Sequence, residues 1–299
     1  MRDQEQLTLF RELSSKYRST LDRLSAGDDA AWASPPADDR YRWDTWGEDF
    51  VRLCTPVVPL DFLRRPPLTG TMVFRGAKHL VRQRCDDVVR SFPDHAKALL
   101  EEDAAGRPRL VKFGQVRTSA NRAHHAHHLA EYERLMGRSP FETRTVVEWG
   151  GGYGDMARIF TKVAPETTYV ILDIPPVGAL QYVYLASVMG DEAVNVVDLE
   201  KNSIVQGKVN VASSAKVVSG VLDVGAGLFI SNQAATESPA DAQDYLRQTR
   251  FLGADRILVS YHIDEGNHLR DALSLLGCVL SPLSLLREEG HVGNEYAFL

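Results

Sequence analysis

Residues 145–160, TVVEWGGGYGDMARIF, decide the fold. Thr145–Trp149 is a short apolar run that reads as a strand. The glycines after it read as a tight turn, and Asp155–Val163 has helical spacing. Gly150, Gly152 and Gly154 stand at alternate positions. Without a Cβ they permit a sharp turn and let a ligand approach the backbone. Asp173 ends the next strand, Thr168–Leu172, 19 residues beyond Gly154.

Strand and helix patterns continue to alternate toward the C-terminus. A helix is expected over Val177–Met189, and strands over Ala215–Leu222 and Gly227–Ser231. Helix Ala240–Leu252, strand Arg256–Ser260 and helix Leu269–Leu276 follow. Strands Cys278–Leu286 and Glu295–Leu299 close the chain. Such alternation implies a largely parallel sheet covered on both faces. The short polar link between the last two strands implies a terminal antiparallel hairpin.

Residues 1–139 read as a mainly helical cap, and 140–299 as the α/β domain. Leu7, Phe10, Leu13, Tyr17 and Leu21 recur at helical spacing, and Ala77–Phe92 repeats the pattern. Pro93 introduces another helix through Leu99 and Leu100. Between them, residues 32–50 are irregular and carry Trp32, Trp43 and Trp46. Those rings read as anchors of a loop on a core, with ligand contact as the second reading.

The chain has 299 residues, 44% hydrophobic and 25% charged, with net charge −6. That composition excludes a disordered or fibrous chain. The acidic balance gives no general attraction for a phosphate backbone, so no nucleic-acid partner is expected. Cys54, Cys85 and Cys278 are far apart, which fits reduced thiols in a cytoplasmic protein. No apolar run reaches the ~18 residues of a membrane span. A homodimer is compatible with the sequence.

Two cofactors compete for the glycine turn. Gly152-x-Gly154-x-x-Ala157, with Asp173 downstream, satisfies a dinucleotide pattern. Glu148-x-Gly150-x-Gly152-x-Gly154 fits the first motif of class I S-adenosylmethionine (SAM) enzymes. Glu148 and Asp155 would both repel a diphosphate at the helix start. SAM carries a sulfonium, an ammonium and one carboxylate, so acids around it are favourable. Charge therefore favours SAM over NAD.

A wider resemblance agrees. It runs through Val147–Gly154, Leu172-Asp173-Ile174-Pro175, Gln181-Tyr182-Val183-Tyr184-Leu185 and Phe229-Ile230-Ser231-Asn232, with Glu237 beyond. In these segments the chain resembles class I SAM-dependent methyltransferases, and among them the sugar O-methyltransferase family. The resemblance implies a Rossmann-like seven-stranded methyltransferase sheet behind a helical N-terminal cap. It implies SAM, with S-adenosylhomocysteine as product, at the ends of the first strands. The cofactor residues are then Glu148, Gly150, Gly152, Tyr153, Gly154, Asp173, Ile174 and Asn232, with Gln115 as a candidate for a carboxylate. Trp149 departs from the small or aliphatic residue expected there.

Methyl transfer to a hydroxyl needs alignment and a base. Residues 119–137, SANRAHHAHHLAEYERLMG, predict a helix capped by Ser119 or Asn121 and stopped by Gly137. His124, His127 and His128 share one face at i, i+3 and i+4, with His125 to the side. One of the three is the leading base, ahead of structural histidines or a metal pair, and no metal is assigned. His262, after the fifth strand, and Glu237 stand behind them as base candidates. The expected acceptor is a small molecule, a sugar or natural-product intermediate methylated at oxygen. Nitrogen or carboxyl methylation, intramolecular alkyl transfer from SAM, and an NAD-dependent oxidoreductase are the alternatives.

Overall fold

The computed structural model describes residues 3–26, 43–198, 203–262, 267–282 and 294–299. A small hairpin comes first, formed by β1 (Leu110–Phe113) and β2 (Val116–Ser119). The remaining strands form one sheet. They are β3 (Thr145–Trp149), β4 (Thr168–Asp173), β5 (Val194–Val196), β6 (Val209–Ser213), β7 (Leu228–Asn232), β8 (Arg256–His262), β9 (Val279–Pro282) and β10 (Asn294–Phe298). Their order is β5-β6-β4-β3-β7-β8-β10-β9.

The six strands from β5 to β8 pair in parallel. β10 is antiparallel to both β8 and β9, so the terminal hairpin is inserted with its last strand inside and β9 at the edge. This is the Rossmann-like methyltransferase sheet expected from the sequence, extended by the three-residue edge strand β5.

Side chains alternate between the two faces of this sheet, as the period of two requires. Val146, Tyr169, Ile171, Val211, Ile230 and Tyr296 enter one core. Val147, Trp149, Val170, Leu172, Phe229 and Val259 enter the other. The first core also contains Phe10, Tyr17, Leu24, Phe50 and Phe62, so one apolar interior crosses residue 139. Helices Ala120–Met136, Asp155–Val163 and Pro175–Met189 lie in this layer. Trp149 is accommodated on the opposite face, where its indole Nε1 donates to Ser238 Oγ at 2.9 Å.

Two expectations are corrected. Ala215–Leu222 is not a strand: Ser214–Val218 is a short helix and Gly220 turns the chain at φ 74°. The strand lies earlier, at β6. Asn210 hides it by interrupting the apolar run, yet its buried amide is satisfied by the Val205 and Lys208 carbonyls. Trp43 and Trp46 belong to a helix, Trp43–Cys54, rather than to an irregular loop. Trp32, and the end of the expected strand at 283–286, lie outside the described residues. Among the described residues, no helix is long and apolar enough to cross a membrane.

Candidate cofactor and acceptor site

The sheet order places β4 on one side of β3 and β7 on the other. The segments leaving these three strands meet at their carboxyl ends, where ligands bind in open α/β sheets. The turn after β3 is shaped by close packing. Gly150 has φ 74°, and a Cβ there would lie 2.0 Å from the Ala234 Cβ. Gly152 has φ 54° but only Met72 nearby, at 3.8 Å, so conformation rather than crowding selects glycine there. Met72 comes from the N-terminal region, which therefore reaches over the turn.

Two carboxyls flank this turn. Glu148 is 2% exposed and accepts the Tyr169 hydroxyl at 2.9 Å. Burial pushes it up to about 8, with the Tyr169 hydrogen bond opposing in part. Asp173 accepts the Ile174 amide at 2.8 Å and Gln181 Nε2 at 2.7 Å. Burial pushes it up to about 7 against those hydrogen bonds. Among the described residues, no cationic side chain forms an ion pair with either acid. Gln181 also donates to the Gly152 carbonyl at 2.9 Å, which fixes its amide orientation and leaves Oε1 buried without a hydrogen-bond partner. Sequence reasoning gives Gln181 no role in the site. Its signal was a single amide within the apolar run Val177–Met189.

Asp155, the third acid, behaves differently. It begins the helix after Gly154, and Arg122 approaches it at 2.8 Å. Arg122 also meets Glu102 at 3.0 Å and Asp103 at 3.2 Å, all with buried side chains. Arg158 and Lys162 complete the cluster on Asp103. Burial disfavours the charge on Asp155, but Arg122 and then His125 hold its carboxyl below the usual range. Its charge is thus spent inside the protein, whereas Glu148 and Asp173 accept hydrogen bonds from neutral donors.

Ser119 caps the histidine helix by accepting the Arg122 amide, and Gly137 ends it in the left-handed conformation. The four histidines have four environments. His125 meets Asp155 at 2.9 Å. His127 faces away, with Nδ1 at 3.3 Å from Asp87. His128 Nδ1 bonds the Tyr296 hydroxyl of β10. His124 stacks on Phe74 at 4.3 Å and lies 4.2 Å from the His128 ring. Its Nδ1 is buried with no hydrogen-bond partner. Burial, then His128 and Arg84, hold His124 well below the usual imidazole range, so it is neutral near pH 7. Asn121, one turn earlier, links the layers: it accepts the Phe74 amide at 2.9 Å and donates to the Tyr153 hydroxyl at 3.1 Å.

The other candidates are scattered. The Tyr153 ring is buried against Tyr184 and Phe62, so only its backbone stays with the turn. Ile174 is half-buried beside Asp173. Asn232 ends β7 and accepts Ser260 Oγ at 3.4 Å. Glu237 closes the short helix Ala234–Glu237. Gln115 stands exposed in the turn between β1 and β2, apart from this group. His262 ends β8, and its side chain falls outside the described residues.

No protein-family model matches the chain. No curated protein matches it either. Similar solved structures include the mitomycin 7-O-methyltransferase MmcR, 16% identical, covering 60% of this chain and 55% of that one, with TM-score 0.38. The pyocyanin biosynthetic protein PhzM is 14% identical, covering 60% and 57%, with TM-score 0.37. A precorrin-6y C5,15-methyltransferase from Geobacter metallireducens GS-15 is 12% identical, covering 63% and 93%, with TM-score 0.39. The matched part spans little more than half of the MmcR and PhzM chains.

Proposed function

We propose that this protein is a SAM-dependent methyltransferase acting on a small-molecule acceptor, at a hydroxyl of a sugar or natural-product scaffold. One observation carries the reading. A buried carboxyl and a half-buried one, Glu148 and Asp173, neither in an ion pair with a described cationic side chain, flank a positive-φ glycine turn at the reversal point of the sheet. Unpaired buried acids are costly unless a ligand compensates them. A cation suits that need and a diphosphate does not. The buried, unpartnered Gln181 Oε1 supports the fit, because it is one more acceptor beside Asp173.

In this reading Asp173 holds the ribose hydroxyls, and the glycine turn and Glu148 hold the amino-acid end. When bound, SAM supplies a methyl group made electrophilic by its sulfonium. His124, neutral and with an unpartnered Nδ1, takes the acceptor proton; Phe74 fixes its ring by stacking. Nothing in the reading assigns a metal.

Calorimetric titration tests the cofactor. S-adenosylhomocysteine should bind, and NAD should not; the reverse result would replace the reading with the oxidoreductase one. Methyl transfer to acceptor pools then tests the base. His124→Ala should lower kcat about 10²- to 10⁴-fold while leaving S-adenosylhomocysteine affinity intact. His127→Ala, on the Asp87 side, should change it little.

A further inference from the structure

His128 makes a contact that the functional reading leaves unused. Its Nδ1 bonds the Tyr296 hydroxyl, and both side chains are buried. Tyr296 belongs to β10, which is paired on both sides by β8 and β9, and its ring stacks on Phe298 at 5.0 Å. The sheet therefore fixes the hydroxyl in place. Burial holds His128 well below the usual imidazole range and pushes Tyr296 up, so both groups are neutral near pH 7. A phenol is the better donor of the two and an imidazole nitrogen the better acceptor, so the Tyr296 O–H donates to Nδ1. A neutral imidazole carries one proton, which then stands on Nε2. Among the described residues, nothing accepts a hydrogen bond from that Nε2–H.

His124 is the complement. It lies one turn earlier on the same helix, its ring centre is 4.2 Å from that of His128, and its own Nδ1 is buried without a hydrogen-bond partner. One ring has an unused donor and its neighbour an unused nitrogen. A hydroxyl answers both, because its oxygen accepts while its hydrogen donates. A neutral amine has a single lone pair, which the donor would occupy and withdraw from reaction. A carboxylate has no proton for His124. We propose that His128 and His124 clamp the acceptor hydroxyl as donor and base, and that Tyr296 is the positioning residue that sets the His128 tautomer. The proposal rests on the functional reading above, with His124 as base. The Nε2–H of His128 donates to the acceptor oxygen. That oxygen bonds the methyl carbon as the carbon–sulfur bond breaks with its electron pair left on sulfur, and its proton goes to His124. The clamp thereby selects a hydroxyl over an amine or a carboxylate.

The test uses the full-length protein with isotopically labelled histidine nitrogens, bound to S-adenosylhomocysteine and read by NMR. Loss of signals in His128→Gln identifies those of His128. The expected result is a protonated Nε2 and a bare Nδ1, with a mixture of tautomers in Tyr296→Phe. A His128 proton on Nδ1 in the native protein overturns the clamp alone, whereas failure to bind S-adenosylhomocysteine removes the functional reading with it. Methyl transfer from labelled SAM to phenol, methyl glucoside and aniline gives the second readout. A hydroxyl probe should be methylated and aniline should not. Tyr296→Phe should lower kcat about 10-fold with S-adenosylhomocysteine affinity unchanged. His128→Gln, whose amide N–H stands near the place of Nε2, should keep most of the rate. His128→Asn, whose amide stands near the place of Nδ1, should lose about 10²-fold. A purely structural Tyr296 contact would give the reverse order of these two variants. That order, or transfer to aniline ahead of both hydroxyl probes, overturns the proposal. Thermal unfolding checks that each variant is folded, and the native tautomer decides even where none of the three probes is turned over.

Discussion

The acids around the glycine turn fall into two pairs that are oppositely treated. Asp155 and Asp103 lie within a cluster containing Arg122, Arg158 and Lys162, and are held below the ordinary carboxyl range. Glu148 and Asp173 have only neutral donors and are pushed up to about 8 and about 7. Burial works against the charge on all four, so the difference lies in the partners. The first pair stabilises the fold with its own cations. In the proposed function, the second pair is left for the cofactor.

The largest break in this comparison is at Arg122. Arg122→Met takes the guanidinium from buried Glu102 and Asp155, while Asp103 keeps Arg158 and Lys162, and should lower stability by about 3–5 kcal/mol in urea unfolding. Arg122→Lys should cost less, because one charge remains. Gly150→Ala attacks the turn between the two groups. A positive φ and a contact with Ala234 together should cost about 2–4 kcal/mol. Ala234→Gly should recover the contact part but not the conformational part.

Titration sharpens the contrast, since the two groups have opposite signs. The raised acids bind protons in the folded state between their unfolded values, near 4, and about 7 to 8. Their contribution is therefore present below about pH 4 and is lost as pH rises through 7 to 8. The paired acids contribute above about pH 4 and lose that contribution as pH falls further. Ligand-free stability should decline from about pH 5 to pH 8, and Glu148→Gln should flatten the decline. The smallest expected stability effect is that of Glu148→Gln near pH 6. It keeps a neutral group beside Tyr169 and should shift stability by less than about 1 kcal/mol.

Glu148, Asp173 and Asp155 are all legible in the sequence, but the cations that neutralise Asp155 and Asp103 are not. Glu148 and Asp173 follow strands whose apolar runs are unbroken, so strand, turn and acid stand together over a few residues. Arg122 meets Glu102, Asp103 and Asp155 from three separate segments, and no local pattern connects them. The histidine helix was legible as an element, capped by Ser119 and stopped by Gly137. The roles of its histidines were not. Helical spacing grouped His124, His127 and His128, but contacts from Phe74, Asp87 and Tyr296 separate them. β6 escaped notice because Asn210 broke its pattern, and a tertiary hydrogen-bond network compensates for that break.

The central claim is that Glu148 and Asp173 await a cationic cofactor. It is tested most directly by titrating SAM into the protein near pH 7 in buffers of different ionisation enthalpy. The account predicts binding coupled to proton release, with fewer protons released by Glu148→Gln. Binding of SAM with no proton release, or binding of NAD in its place, would contradict it.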